Sequence, residues 1–244
     1  MRLKGKLAWV TGAGSGIGEA AALALASEGA EIVLTGRTAS KLERVAGLIT
    51  KAGGNAHVQP ADVMKSNAVQ AVADFIKSGP GRVDILVNNA GANLKARTMR
   101  ELTPETWDAM IRANLDGAFY CTHAVLPQML DQKDGVIVNI VSVAGKRANP
   151  LGGAAYVAAK FGMGGMGLVL ANEEKDSGIR VSNVCPGEID TPILSQRPTA
   201  VTDAHRAAIL KPEDVADAIL YVCNLPPSVH VPELVIKPTT QMYW

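Results

Sequence analysis

The sequence lacks an excess of charge of one sign, long apolar runs and closely spaced cysteines. Its 244 residues include 24 lysines and arginines against 23 aspartates and glutamates, which argues against nucleic-acid binding as the main function. The longest continuous apolar run, residues 20–26, is far shorter than the roughly 20 residues that cross a bilayer, so we expect no transmembrane helix. Cys121, Cys185 and Cys223 form no C-x-x-C pair, which disfavours a disulfide framework and favours buried thiols.

Targeting and low-complexity segments are also missing. Residues 1–6 lead directly into a strand-like run, with no apolar core or small-residue cleavage site of a secretory signal, so we expect a cytoplasmic protein. No repeat of fixed period or charge run divides the chain. With 48% hydrophobic and 19% charged residues, the length fits one domain spanning residues 1–244.

Apolar β-rich runs alternate with helical patterns along the whole chain. The runs lack polar alternation, which is typical of parallel strands covered on both faces. The predicted strands are 7–10, 32–35, 57–59, 83–88, 136–141, 180–185 and 234–237. The predicted helices are 18–27, 40–52, 66–77, 103–129, 153–175 and 213–224. This order predicts a doubly wound α/β domain of Rossmann type, with about seven parallel strands and helices on both faces.

A glycine-rich turn, residues 11–18, follows the first predicted strand and opens the first helix. Glycines there allow close approach of a pyrophosphate, whose charge is favoured by the N–H groups and the dipole of the helix N-terminus. The spacing is G-x-x-x-G-x-G rather than G-x-G-x-x-G, and no Walker lysine follows, so a dinucleotide is favoured over a P-loop nucleotide.

The glycine turn is one of several motifs that occur together in a fixed order. The others are Asp62-Val63, Asn88-Asn89-Ala90-Gly91, Asn114, Ser142, Tyr156-Val157-Ala158-Ala159-Lys160, Pro186-Gly187 and Thr191. This set resembles the short-chain dehydrogenase/reductase family, in its short single-domain branch, over nearly the whole chain. The resemblance implies cofactor contacts from Gly12, Ser15, Gly16, Ile17, Gly18, Thr38, Asp62, Val63, Asn89, Ala90, Gly91, Tyr156, Lys160, Pro186, Gly187, Ile189 and Thr191.

The end of the second predicted strand indicates which dinucleotide is bound. An NAD-preferring enzyme usually carries a carboxylate there, which would repel a 2′-phosphate, but this chain has Gly36 followed by Arg37. A guanidinium is well suited to paired hydrogen bonds with phosphate oxygens. NADP is therefore favoured over NAD. Ser15 stands where some relatives carry a second basic residue, and we interpret Lys41 as a surface residue.

Tyr156 and Lys160 are four residues apart in a predicted helix and so share one face. A nearby ammonium favours the phenolate, and in reduction the phenol donates its proton to the carbonyl oxygen. Ser142 follows a predicted strand and would donate a hydrogen bond to the same oxygen. The resemblance implies that Asn114 holds a water that links Lys160 to solvent. We expect no metal, because His57, His123, His205 and His230 fit no ligand spacing.

These residues predict an NADP(H)-dependent oxidoreductase acting on a small ketone, aldehyde or secondary alcohol. Substrate choice is expected in residues 93–100, 144–152 and 187–211. Four cations of these segments would either attract an anionic substrate or only maintain solubility: Lys146, Arg147, Arg197 and Arg206. A 3-oxoacyl-carrier-protein reductase-like enzyme is an alternative, disfavoured because residues 231–240 replace a glycine-rich strand and turn. A catalytically silent NADP(H)-sensing protein is the other. The resemblance implies a homotetramer or dimer formed through residues 103–129 and 153–175, with no membrane or nucleic-acid partner.

Overall fold

Seven strands alternate with helices within residues 1–243, the part of the chain that the computed structural model describes. The strands are β1 Leu7–Thr11, β2 Glu31–Gly36, β3 Ala56–Pro60, β4 Ile85–Asn88, β5 Gly135–Ile140, β6 Ile179–Pro186 and β7 Glu233–Ile236. The helices are α1 Gly16–Ser27, α2 Ala39–Lys51, α3 Ser66–Ser78, α4 Pro104–Ile111, α5 Gly117–Gln132, α6 Ala154–Glu173, α7 Asp203–Ala208 and α8 Pro212–Cys223.

All seven strands join one parallel sheet in the order β3-β2-β1-β4-β5-β6-β7. The predicted doubly wound sheet is confirmed. Strand order reverses between β1 and β4, so the connections that leave their carboxyl ends run in opposite directions. The crevice that results at this edge is where open α/β sheets bind ligands.

Side chains of each strand alternate between two apolar layers. Ala8 and Val10 of β1 belong to the core cluster that α1, α2 and α8 cover. Leu7 and Trp9 belong to the opposite cluster, to which α3, α5 and the end of α6 contribute. The predicted strands therefore lack polar alternation because both faces of the sheet are buried. The three cysteines are buried and free.

Helix α6 is the one described helix long and apolar enough to cross a membrane by length and composition, with a mean hydropathy of 1.4 over 18 residues. No long uninterrupted apolar run marks this helix in the sequence, because Lys160 and several glycines divide it. About 39% of that window is buried. The helix carries Tyr156 and Lys160 and packs against β6, as expected of a core helix that contacts protein on several sides.

Two predicted segments differ from the structure in ways that concern the site. The single helix predicted over 103–129 is divided into α4 and α5 by a π-helical segment, Arg112–Asp116. The loop predicted over 187–211 contains a 3₁₀ turn, Pro192–Gln196, and the short helix α7. Helix α7 starts after Thr202, whose hydroxyl accepts a hydrogen bond from the His205 amide, so a capping signal was present in the sequence.

Candidate active site

The glycine turn after β1 is held in place by the loop that follows β4. Gly12 has a φ of +63°, and a Cβ there would lie 2.8 Å from Asn89 Nδ2, so no larger residue fits without a shift. Asn89 Nδ2 donates to the carbonyl oxygens of Thr11 and Gly12 at 2.9 and 3.3 Å. The Thr11 hydroxyl accepts hydrogen bonds from the amides of Asn89 and Ala90. The predicted cofactor residues of β1 and β4 thus form one rigid unit.

The start of α1 leaves donors for an anion. Ser15 is the N-cap residue, but its side chain makes no capping hydrogen bond to the first turn. The turn therefore has the features of a phosphate cradle: small residues, a helix N-terminus and no side chain that occupies it. Gly12, Ser15, Gly16 and Ile17 all line the cleft described below.

Gly18 differs from the other predicted cofactor residues, because it is not among the residues that line the cleft. It is buried under the turn, where a Cβ would lie 2.3 Å from the Gly12 oxygen and 2.5 Å from Asn89 Nδ2. That Gly18 contacts the cofactor stays a prediction, and the structure gives Gly18 a packing role. Its small size lets α1 pack against the turn that presents the other glycines.

A cleft of about 850 Å³ runs from this turn across the carboxyl ends of the strands. It brings together every other residue predicted for the cofactor and all four predicted catalytic residues. The cofactor set is Gly12, Ser15, Gly16, Ile17, Arg37, Thr38, Asp62, Val63, Asn89, Ala90, Gly91, Tyr156, Lys160, Pro186, Gly187, Ile189 and Thr191. The catalytic set is Asn114, Ser142, Tyr156 and Lys160.

One end of the cleft carries two exposed cations. Arg37 follows Gly36 at the end of β2, and no hydrogen bond or ion pair holds its guanidinium among the described residues. Lys41, which the sequence analysis interpreted as a surface residue, is exposed but lines the same end. Its Cβ would lie 3.0 Å from a Cβ on Gly14. Lys41 is therefore a second cation at this end of the cleft.

Ser142 and Tyr156 meet beyond the end of β5. The Ser142 hydroxyl accepts a hydrogen bond from the Ala144 amide at 3.0 Å, which fixes its oxygen at the start of a 3₁₀ turn. Burial raises the pKa of the Tyr156 phenol above its usual value, while the Ser142 hydroxyl and the positive charge of Arg97 act in the opposite direction. The phenol is thus held in its protonated form, which suits a proton donor.

Lys160 lies one helical turn after Tyr156 and is only 4% exposed. Its Nζ donates to the Ile140 oxygen at 2.7 Å and lies 5.8 Å from the centre of the Tyr156 ring. Burial lowers the pKa of this ammonium from 10.5 to about 8. The amine therefore loses its proton much more easily than an exposed lysine, close to the tyrosine that would exchange one.

Asn114 lies in the π-helical segment and is 1% exposed. Its Nδ2 donates to the oxygens of Met110 and Ala92 at 2.9 and 3.0 Å, and its Oδ1 accepts from the Ala92 amide at 3.2 Å. A Cβ on Gly91 would lie 2.7 Å from that oxygen. The widened turn and the 91–92 loop together fix Asn114, as π-bulges often do at functional sites.

A ladder of buried asparagines, which sequence reasoning missed, positions α6 on the sheet. Asn88, Asn139 and Asn183 are partners in register on β4, β5 and β6 and are joined by side-chain hydrogen bonds of 3.0 and 3.1 Å. Asn183 Nδ2 then donates to the Gly164 oxygen of α6 at 2.9 Å. These asparagines stand within apolar runs, so the pattern predicts only buried strands. Asparagine is uncommon inside strands, and its presence there was the one available signal.

Three other cleft residues, Gln241, Tyr243 and Arg97, were not predicted individually. Gln241 Oε1 accepts a hydrogen bond from the Glu188 amide at 2.8 Å, so the C-terminal segment supports the turn after β6. The Arg147 guanidinium lies 5.3 Å from the centre of the Tyr243 ring, and both residues line the cleft. Arg97 lines it as well and is almost completely buried. No local pattern marks any of the three.

Ion pairs hold the segment that covers the substrate end of the cleft. Glu188 pairs with Arg197 at 3.1 Å and with His205. Asp190 pairs with Lys211 at 3.1 Å and with Arg206 at 2.5 Å. Of the four cations that the sequence analysis named for an anionic substrate, Lys146, Arg147, Arg197 and Arg206, three have acidic partners, since Lys146 pairs with Glu233. Arg197 and Arg206 thereby maintain the shape of this segment, and Lys146 links the turn after β5 to β7.

Comparisons with known proteins place this geometry among oxidoreductases. A family model described as short chain dehydrogenase matches residues 6–201. An uncharacterised oxidoreductase of Staphylococcus aureus strain MRSA252 is 36% identical over 236 residues, which make up 97% of this chain and 98% of the relative. The likeness extends over nearly the full length of both proteins.

Solved structures share the fold and differ in their cofactor. A metagenomic short-chain oxidoreductase in complex with NADP is 36% identical, with a TM-score of 0.86 over 99% of this chain and 100% of that one. A 3-ketoacyl-(acyl-carrier-protein) reductase from Brucella melitensis, complexed with NADH, is 33% identical, with a TM-score of 0.88 over 96% and 98%. Both solved relatives thus bind a nicotinamide dinucleotide, one the phosphorylated form NADP and the other NADH.

Proposed function

The chain belongs to the short-chain dehydrogenase family of oxidoreductases, and on that premise we propose that it is an NADP(H)-dependent enzyme that interconverts a small ketone or aldehyde and the corresponding alcohol. The observation that carries the proposal is the single cleft that contains both the glycine turn and the group of Ser142, Tyr156 and Lys160. This crevice lies where open α/β sheets bind ligands.

The proposed chemistry follows from the environment of each side chain. When bound, the dinucleotide supplies or accepts the hydride. Tyr156, whose burial favours the protonated phenol, donates a proton to the carbonyl oxygen during reduction and accepts it during oxidation. Ser142 donates a hydrogen bond to the same oxygen, because its own oxygen already accepts from the Ala144 amide and its proton is free to turn toward the cleft.

Lys160 and Asn114 have supporting roles in this proposal. The Lys160 ammonium, with a pKa of about 8, stabilises the phenolate when charged and exchanges a proton near neutral pH. Asn114 fixes the 91–92 loop against the π-helical segment and, by the family resemblance, holds a water on the route from Lys160 to solvent. Because the pKa of the buried Lys160 amine is lowered, releasing its proton to such a water near neutral pH costs little free energy.

The proposed preference for NADP rests on the cationic end of the cleft. Arg37 and Lys41 are both exposed there, and Gly36 places no carboxylate where a 2′-phosphate would lie. A phosphate would give the unpaired Arg37 guanidinium a partner for two parallel hydrogen bonds. A solved relative with NADP and another with NADH show that the family fold accommodates both forms, so this end of the cleft must discriminate.

The test is a panel of small ketones, aldehydes and secondary alcohols, with formation or loss of reduced nicotinamide followed by absorbance. We expect turnover with NADPH or NADP⁺ that falls by at least about 100-fold in Tyr156→Phe, while NADPH still binds. The panel also includes a 3-oxoacyl thioester, because a reductase of such thioesters is the second candidate that a solved relative supports. Tight NADPH binding without turnover of any compound would instead indicate a sensing protein.

Assembly and location complete the proposal. We propose a homotetramer or dimer formed through the exposed apolar side chains of α5 and α6, among them Phe119, Phe161 and Val169. Exposed apolar area of this kind is common at oligomer interfaces. A cytoplasmic location, one domain over residues 1–244 and the absence of nucleic-acid, membrane and metal partners stay predictions; the last residue lies outside the described part of the chain.

A further inference from the structure

Arg97 is a buried cation without an acidic partner. It lies in the loop that follows β4, and only 6% of its surface is exposed. No carboxylate pairs with it among residues 1–243. Lys160, on helix α6, is the other buried cation of the cleft within these residues. A buried charge normally requires a partner, since its removal from water is costly.

The Arg97 guanidinium is only partly satisfied by its surroundings. Nη1 donates to the Leu151 oxygen at 2.8 Å, and Nη2 donates to the Gln196 oxygen. Nε is buried and has no hydrogen-bond partner in the described part of the chain. Two neutral carbonyls therefore share a full positive charge, and the Nε–H, on the same edge of the guanidinium as Nη2, has no acceptor.

The electrostatic surroundings make this charge more costly. Burial lowers the pKa of the Arg97 guanidinium, and the positive charge of Arg197 lowers it further. Arginine nevertheless remains protonated in proteins, so the charge persists and is not removed by titration. An anion that entered the cleft would offset both the cost of burying the Arg97 charge and its repulsion by Arg197.

The other arginines at this end of the cleft already have partners. Arg197 pairs with Glu188 at 3.1 Å. Arg147 lies over the Tyr243 ring and donates to the Lys146 oxygen at 3.0 Å. Arg97 is thus the one arginine of the substrate end, within the described residues, whose charge is balanced by neither an acid nor a ring. The single positive charge of Arg97 would be neutralised by the single negative charge of one carboxylate.

Arg97 also lies beside the catalytic group. Gly153, the N-cap of α6, has a φ of +79°, and a Cβ there would lie 2.7 Å from Arg97 Cβ and 2.8 Å from its oxygen. Glycine at this position therefore lets the Arg97 backbone lie against the start of the helix, three residues before Tyr156. Both side chains line the same cleft.

We propose that Arg97 is a specificity-determining residue that binds a carboxylate of the substrate, so that the enzyme acts on oxo acids and hydroxy acids in preference to neutral carbonyls. The carboxylate takes the place of the Gln196 oxygen on Nη2 and gives the unpartnered Nε an acceptor, in the two-bond geometry that arginine favours. The inference rests on the proposed oxidoreductase function and adds the class of its substrate.

Matched pairs of substrates test the proposal in the wild-type enzyme with NADPH. The pairs are acetoacetate with methyl acetoacetate and pyruvate with methyl pyruvate, which differ in the negative charge. We expect kcat/KM to be about 10–100-fold higher for at least one acid than for its ester, as a charged hydrogen bond implies. Equal values, or higher values for both esters, would overturn the proposal and leave the oxidoreductase function in place.

Variants separate recognition from a structural role. Arg97→Gln should lower kcat/KM for the acid much more than kcat/KM for the ester, whereas Arg97→Lys should keep part of the preference. Arg100→Gln removes the same charge from an exposed position of the same loop and is the matched control. An equal fall of acid and ester activity in Arg97→Gln would show that Arg97 only ties the loops together. If Arg97→Gln fails to fold, Arg97→Lys and the wild-type pairs decide.

A binding measurement keeps this inference distinct from the proposed function. Butyrate should raise the melting temperature of the wild-type NADP⁺ complex more than butyramide does, and the difference should vanish in Arg97→Gln. Stabilisation by butyrate without turnover of any carbonyl would refute the proposed function and support the Arg97 site. Turnover of carbonyls without an advantage for acids and without stabilisation by butyrate would refute the Arg97 site alone.

Discussion

Replacing Lys160 with methionine should make the protein more stable near neutral pH while removing its activity. The Lys160 ammonium is 4% exposed, and burial lowers its pKa from 10.5 to about 8. In the unfolded chain the same group keeps its proton up to the ordinary pKa of lysine. The folded state therefore pays for burying a charge that methionine, of similar length, does not carry.

The size of the effect follows from this difference in pKa. At about 1.4 kcal/mol per pKa unit, the shift from 10.5 to about 8 corresponds to roughly 3 kcal/mol of lost stability near pH 7. The variant leaves the Ile140 oxygen without its 2.7 Å hydrogen bond, which costs about 1–3 kcal/mol. A net gain of roughly 0–2 kcal/mol remains, or up to a few degrees in melting temperature for a chain of this length.

The dependence on pH has a defined sign. The folded state releases the Lys160 proton near pH 8 while the unfolded state holds it to about 10.5, so wild-type stability rises with pH between these values. The advantage of Lys160→Met should therefore shrink by about 2 kcal/mol between about pH 7 and about pH 9.5. Other titrating groups are common to both proteins and cancel in the difference.

Urea denaturation of the cofactor-free proteins at these two pH values measures both quantities, and an assay with NADPH measures activity. The control is Lys77→Met, at an exposed position on α3, for which no pH-dependent difference is expected. A Lys160→Met protein less stable than the wild type near pH 7, or an advantage that stays constant with pH, would refute the argument that burial of the Lys160 charge limits stability.

Other changes test separate parts of the site. Tyr156→Phe should lower kcat by at least about 100-fold and leave the NADPH dissociation constant nearly unchanged, whereas retained turnover would remove Tyr156 as proton donor. Arg37→Ala should weaken NADPH binding by about 10–100-fold and spare NADH, and a further Gly36→Asp change should reverse the preference; equal wild-type affinities at one salt concentration would contradict this. Gly18→Ala should weaken both cofactors and lower the free energy of unfolding by about 1–3 kcal/mol, because its Cβ would lie 2.3 Å from the Gly12 oxygen. Unchanged cofactor affinity and unchanged stability would show that α1 shifts at little cost to make room for the added methyl group.

The sheet could be predicted from the sequence because its signal is local. Runs such as Ile85-Leu86-Val87 are apolar on consecutive positions, and each is bounded by turns, so seven strands and their parallel arrangement followed. Most residues that line the cleft near the glycine turn could be predicted as well, because they belong to short motifs of adjacent residues. The π-helical segment at Asn114 did not follow, since it depends on hydrogen bonds with the 91–92 loop and not on the composition of the helix.

By itself the sequence determined the alternation of strands and helices, the glycine turn and the spacing of Tyr156 and Lys160, because each depends on residues a few positions apart. Only the tertiary structure decided that Arg97 is a buried cation without an acid, that Lys41 lines the cleft and that Asn183 ties α6 to the sheet. The partners of Arg97 are 54 and 99 residues away along the chain. Contacts between such distant positions leave no periodicity in the sequence, and burial of a charge becomes visible only when the segments around it are in place.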